Sequence, residues 1–315
     1  MIKIALNGFG RIGKLALRRL FDNDISLEFI NDKNGDPGLF AHLLEFDTVH
    51  GRWDRNISND CVSLTVNNQK IPVLREENIA NLPLAGIDIV IDCTGFFKSD
   101  ELLAEYFNKG VQKVIVSAPV KTGAVANLVY GVNENIYDPN IHSIVTAASC
   151  TTNCLAPIVK VIHESLGIIH GSITTIHNVT NTQTIVDRPS KDFRRSRSAL
   201  NSLIPTTTGS ATAINLIYPE LNGKLNGSAV RVPLLNASLT DAVFELNTAT
   251  TISEVNGLFE NAAETYLKDI LGYESRALVS SDFVNDPRSC IIDGQSTVLV
   301  DGTHLKVYAW YDNEW

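Results

Sequence analysis

The sequence predicts an α/β fold in two parts, a parallel sheet of βαβ units followed by an α+β domain with a largely antiparallel sheet. Three features of the 315-residue chain predict it. Short apolar strands alternate with helical patterns through the first half, as βαβ units require. A Gly-x-Gly-x-x-Gly turn, Gly8 to Gly13, separates the first strand from the first helix. From Cys150 onward the texture changes to one helix, a long aperiodic stretch and then alternating strands. The predicted parts are residues 1–149 and 150–315, with the C-terminal end expected to return to the first.

Ile2 to Leu6 reads as a strand, and Ile12, Leu15, Ala16 and Leu20 recur at helical spacing behind it. Leu27 to Ile30 is a second strand, ending at Asn31-Asp32. Later strands are Ile87 to Ile91, Val114 to Val116 and Ile144 to Ala147. They end in Asp92-Cys93-Thr94-Gly95, Ser117-Ala118-Pro119 and Ala148-Ser149-Cys150. Carboxyl ends of strands are where open α/β sheets bind ligands, which makes Thr94 a candidate contact. A helix carrying Ile158, Val159, Ile162 and Leu166 leads to a strand from Ser172 to His177. Asn178 to Pro205 shows no sustained period, and so long a loop is usually functional or disordered. A helix ended by Pro219, several strands, and a helix from about Ile252 to Leu271 follow. Thr251 and Glu254 have capping-box spacing for that last helix, and Gly272 is its expected stop.

Hydrophobic residues make up 44% of the chain and charged residues 19%, an ordinary globular balance. The net charge of −9 speaks against general nucleic-acid binding, so any basic cluster needs its own explanation. Five cysteines, an odd number with Cys150 close to Cys154, suit a reducing compartment better than a disulfide framework. Met1 to Leu6 lacks the features of a signal peptide, and no apolar run approaches the roughly 18 residues of a membrane span. The expectation is a cytoplasmic protein with neither membrane nor nucleic-acid partner, and with no metal.

In the glycine turn, Gly8 permits the tight bend, Gly10 lets the backbone approach a pyrophosphate, and Gly13 allows close helix packing. The helix N-terminus then offers free N–H groups to an anion. Asp32 follows at about the separation of the acid that bonds an adenosine ribose. With strand, glycines, helix and acid in order, a Rossmann-type dinucleotide site is expected over a turn that binds nothing. A carboxylate at Asp32 repels a ribose phosphate and favours NAD over NADP. Lys33 either offsets part of that repulsion or is an ordinary surface lysine.

Cys150 stands where a strand ends and a helix begins, so the helix dipole is expected to lower its thiol pKa. Free cysteine more often lies in the core. That alternative suits Cys154, one helical turn on, while Cys61, Cys93 and Cys290 lack a comparable setting. An imidazole beside a thiol is a general-base arrangement, and His177 ends the strand that follows the Cys150 helix. Spacing alone does not join the two, and a lone strand-end histidine is more often structural.

Arg188, Lys191, Arg194, Arg195 and Arg197, opposed only by Asp187 and Asp192, form a basic run. It suits phosphate, or equally a solvated or subunit-contacting face. Arg231 alternates with Val230, Val232 and Leu234, and its guanidinium fork is shaped for a phosphoryl group. Thr180, Thr182, Thr208 and Gly209 supply further donors, or ordinary loop chemistry.

The segments Asn7 to Gly13, Ser149-Cys150-Thr151-Thr152-Asn153-Cys154, Arg194-Arg195, Arg231-Val232-Pro233 and Trp310 to Trp315 resemble the glyceraldehyde-3-phosphate dehydrogenase family. The resemblance spans essentially the whole chain. It implies Cys150 as nucleophile and His177 as its base. It further implies that Thr180, Thr182, Arg195 and Arg231 hold a substrate phosphate, while Ser149, Thr151, Thr208 and Gly209 hold attacking phosphate. Arg11, Ile12, Asp32, Ser117 and Asn313 would contact NAD, and the assembly would be a homotetramer whose basic loop reaches a neighbouring cofactor site. The implied reaction is phosphorylating oxidation of glyceraldehyde 3-phosphate to 1,3-bisphosphoglycerate through a Cys thioester.

Three departures stand out. The family pattern continues past Trp315 through a Gly-Tyr pair into a helix, which leaves open a shortened chain. Lys33 replaces an apolar residue, and Asn178 a small one. A narrower resemblance, in His42 to Trp53 and Val179 to Thr184, is to a bacterial branch associated with arsenate resistance, in which arsenate would replace phosphate. Erythrose-4-phosphate dehydrogenase is the rival enzyme, but it typically lacks Thr180 and the Thr208-Gly209 pair. A catalytically idle binding protein should have lost Cys150, His177 or Arg231, and all three are present.

Overall fold

A computed structural model describes residues 2–315. Met1, which begins both the first predicted part and the segment assessed for a signal peptide, lies outside them. The chain divides into two compact units, one running to Leu128 with Glu134–Ser149 and Glu314, the other holding Val129–Asn133, Cys150–Asn313 and Trp315.

The first unit contains β1 (Ile4–Asn7), α1 (Arg11–Asp22), β2 (Phe29–Asn31), α2 (Pro37–Glu45), the short pair β3 (Phe46–Asp47) and β4 (Gly51–Arg52), then β5 (Ile57–Asn59), β6 (Ser63–Val66) and β7 (Gln69–Leu74). It continues through β8 (Ile89–Asp92), α3 (Asp100–Asn108), β9 (Lys113–Val116), β10 (Val125–Asn127) and β11 (Ile144–Thr146). Its sheet has the order β10-β11-β9-β8-β1-β2-β7-β6-β5. The strands from β10 to β7 run parallel. Neighbouring β1 residues serve opposite faces: Ala5 packs with Phe29, Val90 and Val114, and Leu6 with Leu17, Ile30 and Leu44. Both faces are therefore covered, which is why these strands are almost continuously apolar. Antiparallel β5, β6 and β7 extend the sheet over a stretch for which no strand is predicted. Ile57-Ser58-Asn59 is too short and polar to show alternation, and Asn67, at φ 50°, makes the turn between β6 and β7.

The second unit contains α4 (Cys150–Leu166), β12 (Ile168–His177), β13 (Ile204–Thr207), α5 (Ser210–Ile217), β14 (Leu225–Arg231), β15 (Ser238–Leu246), α6 (Ile252–Glu264), β16 (Leu271–Glu274), β17 (Cys290–Asp293), β18 (Val298–Val300) and β19 (His304–Tyr311). Its sheet runs β13-β14-β12-β15-β19-β17-β16, with β18 on β19. It is mixed: β14 lies parallel to β12 and β16 to β17, while the other ladders are antiparallel. β15 alternates, burying Ala242, Phe244 and Leu246. The apolar residues of α4, among them Leu155, Ile158, Val159 and Ile162, are buried, and the helix packs on β12, β15, β17 and β19.

Two expected boundaries move. The capping box at Thr251 and Glu254 is present, but α6 ends at Glu264 and Gly272 lies inside β16. Thr265 leaves the helical conformation, its hydroxyl donating back to the Asn261 carbonyl at 2.5 Å, and the chain turns to Leu271. The aperiodic loop closes at Ile204, so Pro205 belongs to β13. Among the described residues no helix is long and apolar enough to cross a membrane.

Candidate active site

In the first unit β1 is the point where the strand order reverses, with β2 on one side and β8 on the other. The chain leaves β1 through Gly8 at φ +93°, where a Cβ would lie 2.5 Å from the Cys93 carbonyl carbon and the Thr94 nitrogen. A Cβ on Gly13 would come within 2.0 Å of the Gly8 carbonyl oxygen. Packing therefore demands the first and third glycines. A Cβ on Gly10 would meet nothing within 4 Å, and no side chain caps α1. The second glycine leaves an open approach to the N–H groups of the first helical turn, as a pyrophosphate requires. Asp32 accepts the Phe9 N–H at 2.8 Å and the Asn34 N–H at 2.9 Å, which fixes its carboxylate at the end of β2. Lys33 pairs with Glu77 at 2.7 Å, so its charge is directed to that carboxylate. Open N–H groups beside a fixed carboxylate fit a dinucleotide.

The candidate contacts differ in what they have free. The Arg11 guanidinium is engaged by Asp47 at 2.6 Å and Glu314 at 2.5 Å, and His50 shares Glu314 at 2.6 Å. Four of its five guanidinium N–H groups are thus directed to these carboxylates. Ile12 follows it, half-buried. Thr94 donates its N–H (3.0 Å) and hydroxyl (2.7 Å) to Asp92. Ser117 donates its N–H to the Asp92 carbonyl at 2.9 Å.

In the second unit the parallel register of β12 and β14 sets His177 beside Arg231, each the last residue of its strand. Cys150 opens α4, and its Sγ lies 3.5 Å from His177 Nε2. His177 Nδ1–H donates to the Asn178 carbonyl at 2.8 Å, which leaves Nε2 bare toward the sulfur. Arg231 Nη1 lies against the same ring and donates to the Asn178 carbonyl at 3.0 Å. Burial, reinforced by the Arg231 charge, pulls His177 down to about 4. The imidazole is therefore neutral at physiological pH and able to take a proton.

The thiol departs from expectation. Burial pushes Cys150 up, outweighing the bonds from Thr151 and the Arg231 charge that favour the thiolate. Desolvation opposes the helix terminus and prevails. The resting pair is thus thiol and neutral imidazole, arranged for proton transfer as a bond to sulfur forms. Cys154 and Cys290 are buried, burial raises Cys93 to about 12, and Cys61 is exposed.

Arg195 donates to Thr206 Oγ1 at 3.0 Å, and its charge bears on both Arg231 and His177. Burial and that charge lower Arg231, whose Nε is buried with no hydrogen-bond partner among the described residues. Two guanidiniums and a bare donor form a place an anion would satisfy. Thr180 and Thr182 join through their hydroxyls at 2.9 Å, and Gln183 Oε1 accepts both the N–H (2.9 Å) and hydroxyl (3.0 Å) of Thr180. Thr208 donates its hydroxyl to Ser210 at 3.1 Å, and Gly209 is the N-cap of α5, with nothing within 4 Å of a Cβ. The Thr151 hydroxyl points inward to Tyr311 (2.9 Å), which also meets Thr175 (2.7 Å), so only its backbone remains for phosphate. Ser149 is half-buried, and Asn313 Oδ1 is a buried acceptor without a partner among the described residues. Sequence reasoning passed over Tyr311, Thr175, Gln183 and Thr206. Tyr311 had one signal, its place in the closing Trp310–Trp315 motif.

Comparison with known proteins gives consistent matches. Residues 2–100 match the glyceraldehyde 3-phosphate dehydrogenase NAD binding domain, and residues 149–313 the C-terminal domain of the same family. The chain is 55% identical to glyceraldehyde-3-phosphate dehydrogenase 3 of Nostoc sp. (strain PCC 7120 / SAG 25.82 / UTEX 2576), over 100% of the chain and 94% of that protein. It is 47% identical to glyceraldehyde-3-phosphate dehydrogenase of Geobacillus stearothermophilus, over 99% of the chain and 94% of the relative. The chromosomal glyceraldehyde-3-phosphate dehydrogenase of Cupriavidus necator is 47% identical over 100% of the chain and 94% of its own length.

Proposed function

The chain belongs to the glyceraldehyde-3-phosphate dehydrogenase family of NAD-dependent oxidoreductases, and from that membership we propose that it oxidises glyceraldehyde 3-phosphate to 1,3-bisphosphoglycerate through a thioester on Cys150. The observation that carries this is the 3.5 Å approach of Cys150 Sγ to His177 Nε2, with the far nitrogen of the ring tied to the Asn178 carbonyl.

Cys150 Sγ adds to the aldehyde carbon while its proton passes to His177 Nε2. The imidazolium gives that proton to the alkoxide oxygen of the resulting thiohemiacetal, and the neutral ring takes the hydroxyl proton back as the carbon is oxidised. NAD, when bound, supplies the hydride acceptor that makes oxidation to the thioester possible. Phosphate attacks the thioester carbon, the acyl phosphate departs and Cys150 regains its sulfur electrons. Arg231, Arg195, Thr180 and Thr182 hold the substrate phosphate. Ser149, Thr151, Thr208 and Gly209 hold the attacking one, with Thr151 acting through its backbone. Gly8, Gly10, Gly13, Arg11, Ile12, Asp32, Thr94, Ser117 and Asn313 hold NAD. A homotetramer is the proposed assembly, to be checked by light scattering.

The test is NADH production from glyceraldehyde 3-phosphate with phosphate, arsenate or no oxyanion. Sustained turnover with phosphate, and a single-turnover burst without it, are expected. Turnover that ignores oxyanions would overturn the thioester route. A finer reading makes arsenate the physiological nucleophile, supported by the resemblance of His42 to Trp53 and Val179 to Thr184 to the arsenate-associated branch. It predicts expression induced by arsenate and raised tolerance alongside an exporter; failure of both ends it.

A further inference from the structure

A buried chain of side chains lies beneath the glycine turn and is not used in the chemistry above. Asn31 Nδ2 donates to Asn7 Oδ1 at 2.7 Å, Asn7 Nδ2 donates to the Tyr106 hydroxyl at 2.5 Å, and that hydroxyl donates to Asp92 Oδ2 at 2.7 Å. The other Asp92 oxygen accepts both donors of Thr94. At the far end Asn31 Oδ1 accepts the Glu76 N–H at 2.8 Å. From Asn31 through Asn7 and Tyr106 each donation points toward Asp92, and Asn7, Asn31, Asp92 and Tyr106 are all at most 4% exposed.

The placement gives the chain a task. Asn7, Asn31 and Asp92 are the last residues of β1, β2 and β8, three adjacent strands. Asn7 immediately precedes Gly8, and Asp92 holds Thr94. Gly8 in turn packs directly on the Cys93–Thr94 backbone, with no room for a Cβ. The backbone joins the two ends through the Cys93 N–H, which donates to the Asn7 carbonyl at 2.7 Å, and Tyr106, reaching in from α3, joins them through their side chains. We propose that Tyr106 is a positioning residue for the cofactor, fixing the separation of the Gly8 turn and Thr94 through Asn7 and Asp92. Its hydroxyl leaves no slack: it accepts from one strand end and donates to the other. Without it, buried Asn7 Nδ2 and Asp92 Oδ2 lose their shared partner, and both strand ends must shift to regain one.

This inference rests on the assignment of the Gly8–Gly13 turn to NAD, and the experiment separates the two. Calorimetric titration of the full chain with NAD is made for the native protein, Tyr106→Phe, Asp92→Asn and the double variant, with KM for NAD, kcat and melting temperature. Each single substitution is expected to raise Kd about five- to tenfold and KM in step, with kcat at saturating NAD held within about twofold. The double variant is expected to bind no more weakly than the worse single, because either change interrupts the same chain. Unchanged Kd with a lowered melting temperature, or fully additive losses, overturns the positioning role. Asp92→Asn alone supplies the comparison if Tyr106→Phe is insoluble. Asp32→Ala is the control. If it weakens binding and Tyr106→Phe does not, the positioning role alone fails; if neither weakens it, the cofactor turn is misassigned.

Discussion

Replacing Arg231 with Gln removes the charge that lies against His177 while keeping an N–H for the Asn178 carbonyl. In the native site burial and that charge hold the imidazole at about 4, against an ordinary 6.5. The gap is worth about 3 kcal/mol, at about 1.4 kcal/mol per tenfold in proton affinity. Burial is the larger cause and persists in the variant. The charge then accounts for the smaller share, on the order of 1 kcal/mol, and His177 should rise from about 4 without reaching its ordinary value. The assay is alkylation of Cys150 by uncharged iodoacetamide across the acid range, with NMR titration of labelled histidine assigned through His177→Asn. An uncharged reagent keeps loss of the anion site out of the measurement. The stability sign follows from linkage: the folded value lies below the unfolded one, so the unfolded chain takes the proton first as pH falls. This site therefore costs stability from about 6.5 down to about 4 and nothing above that window, which Arg231→Gln narrows. A native imidazole titrating at 6.5 or higher, or one that fails to rise in the variant, would refute the reasoning.

Cys150→Ser should lower kcat by several orders of magnitude while leaving NAD binding intact; a rate within tenfold of native, read as NADH production, excludes covalent catalysis. Tyr311→Phe removes the hydroxyl shared by Thr151 and Thr175 and should destabilise the protein by about 1–3 kcal/mol in urea unfolding, with an unchanged midpoint counting against a structural role. Gly8→Ala, forced to φ +93° against the Cys93–Thr94 backbone, should abolish NAD binding in calorimetry, and native affinity would show that the turn has room. Thr251→Ala should cost about 1 kcal/mol through loss of the α6 capping box, measured by thermal unfolding; no change would mean that water replaces the cap.

The turn from β1 into α1 was legible because its demands are local: a strand, glycines where no Cβ fits, and a helix start. Cys150 at the start of α4 and His177 at the end of β12 were legible for the same reason. Their meeting was not, since it depends on how α4 packs against the sheet. The contact of Arg231 with His177 comes from a parallel register between strands over fifty residues apart, which no window on the sequence contains. The thiol shows the same limit with opposite sign. Its helix position predicts acidity, yet burial, a property of the assembled core, decides the direction. At α6 the capping box read correctly, whereas the end was set by Thr265 and the following turns instead of by Gly272.

The carboxylate that pairs with Arg11 and His50 belongs to Glu314, 303 residues beyond Arg11 in the chain, yet it counts within the first compact unit. During synthesis the ribosome releases Arg11, Asp47 and His50 long before it adds the residue that completes their charge balance. The glycine-turn unit therefore cannot reach its final electrostatic state until residue 314 has been added, 303 positions after Arg11. Expressing residues 1–149 alone would yield a fragment with that cluster permanently one anion short.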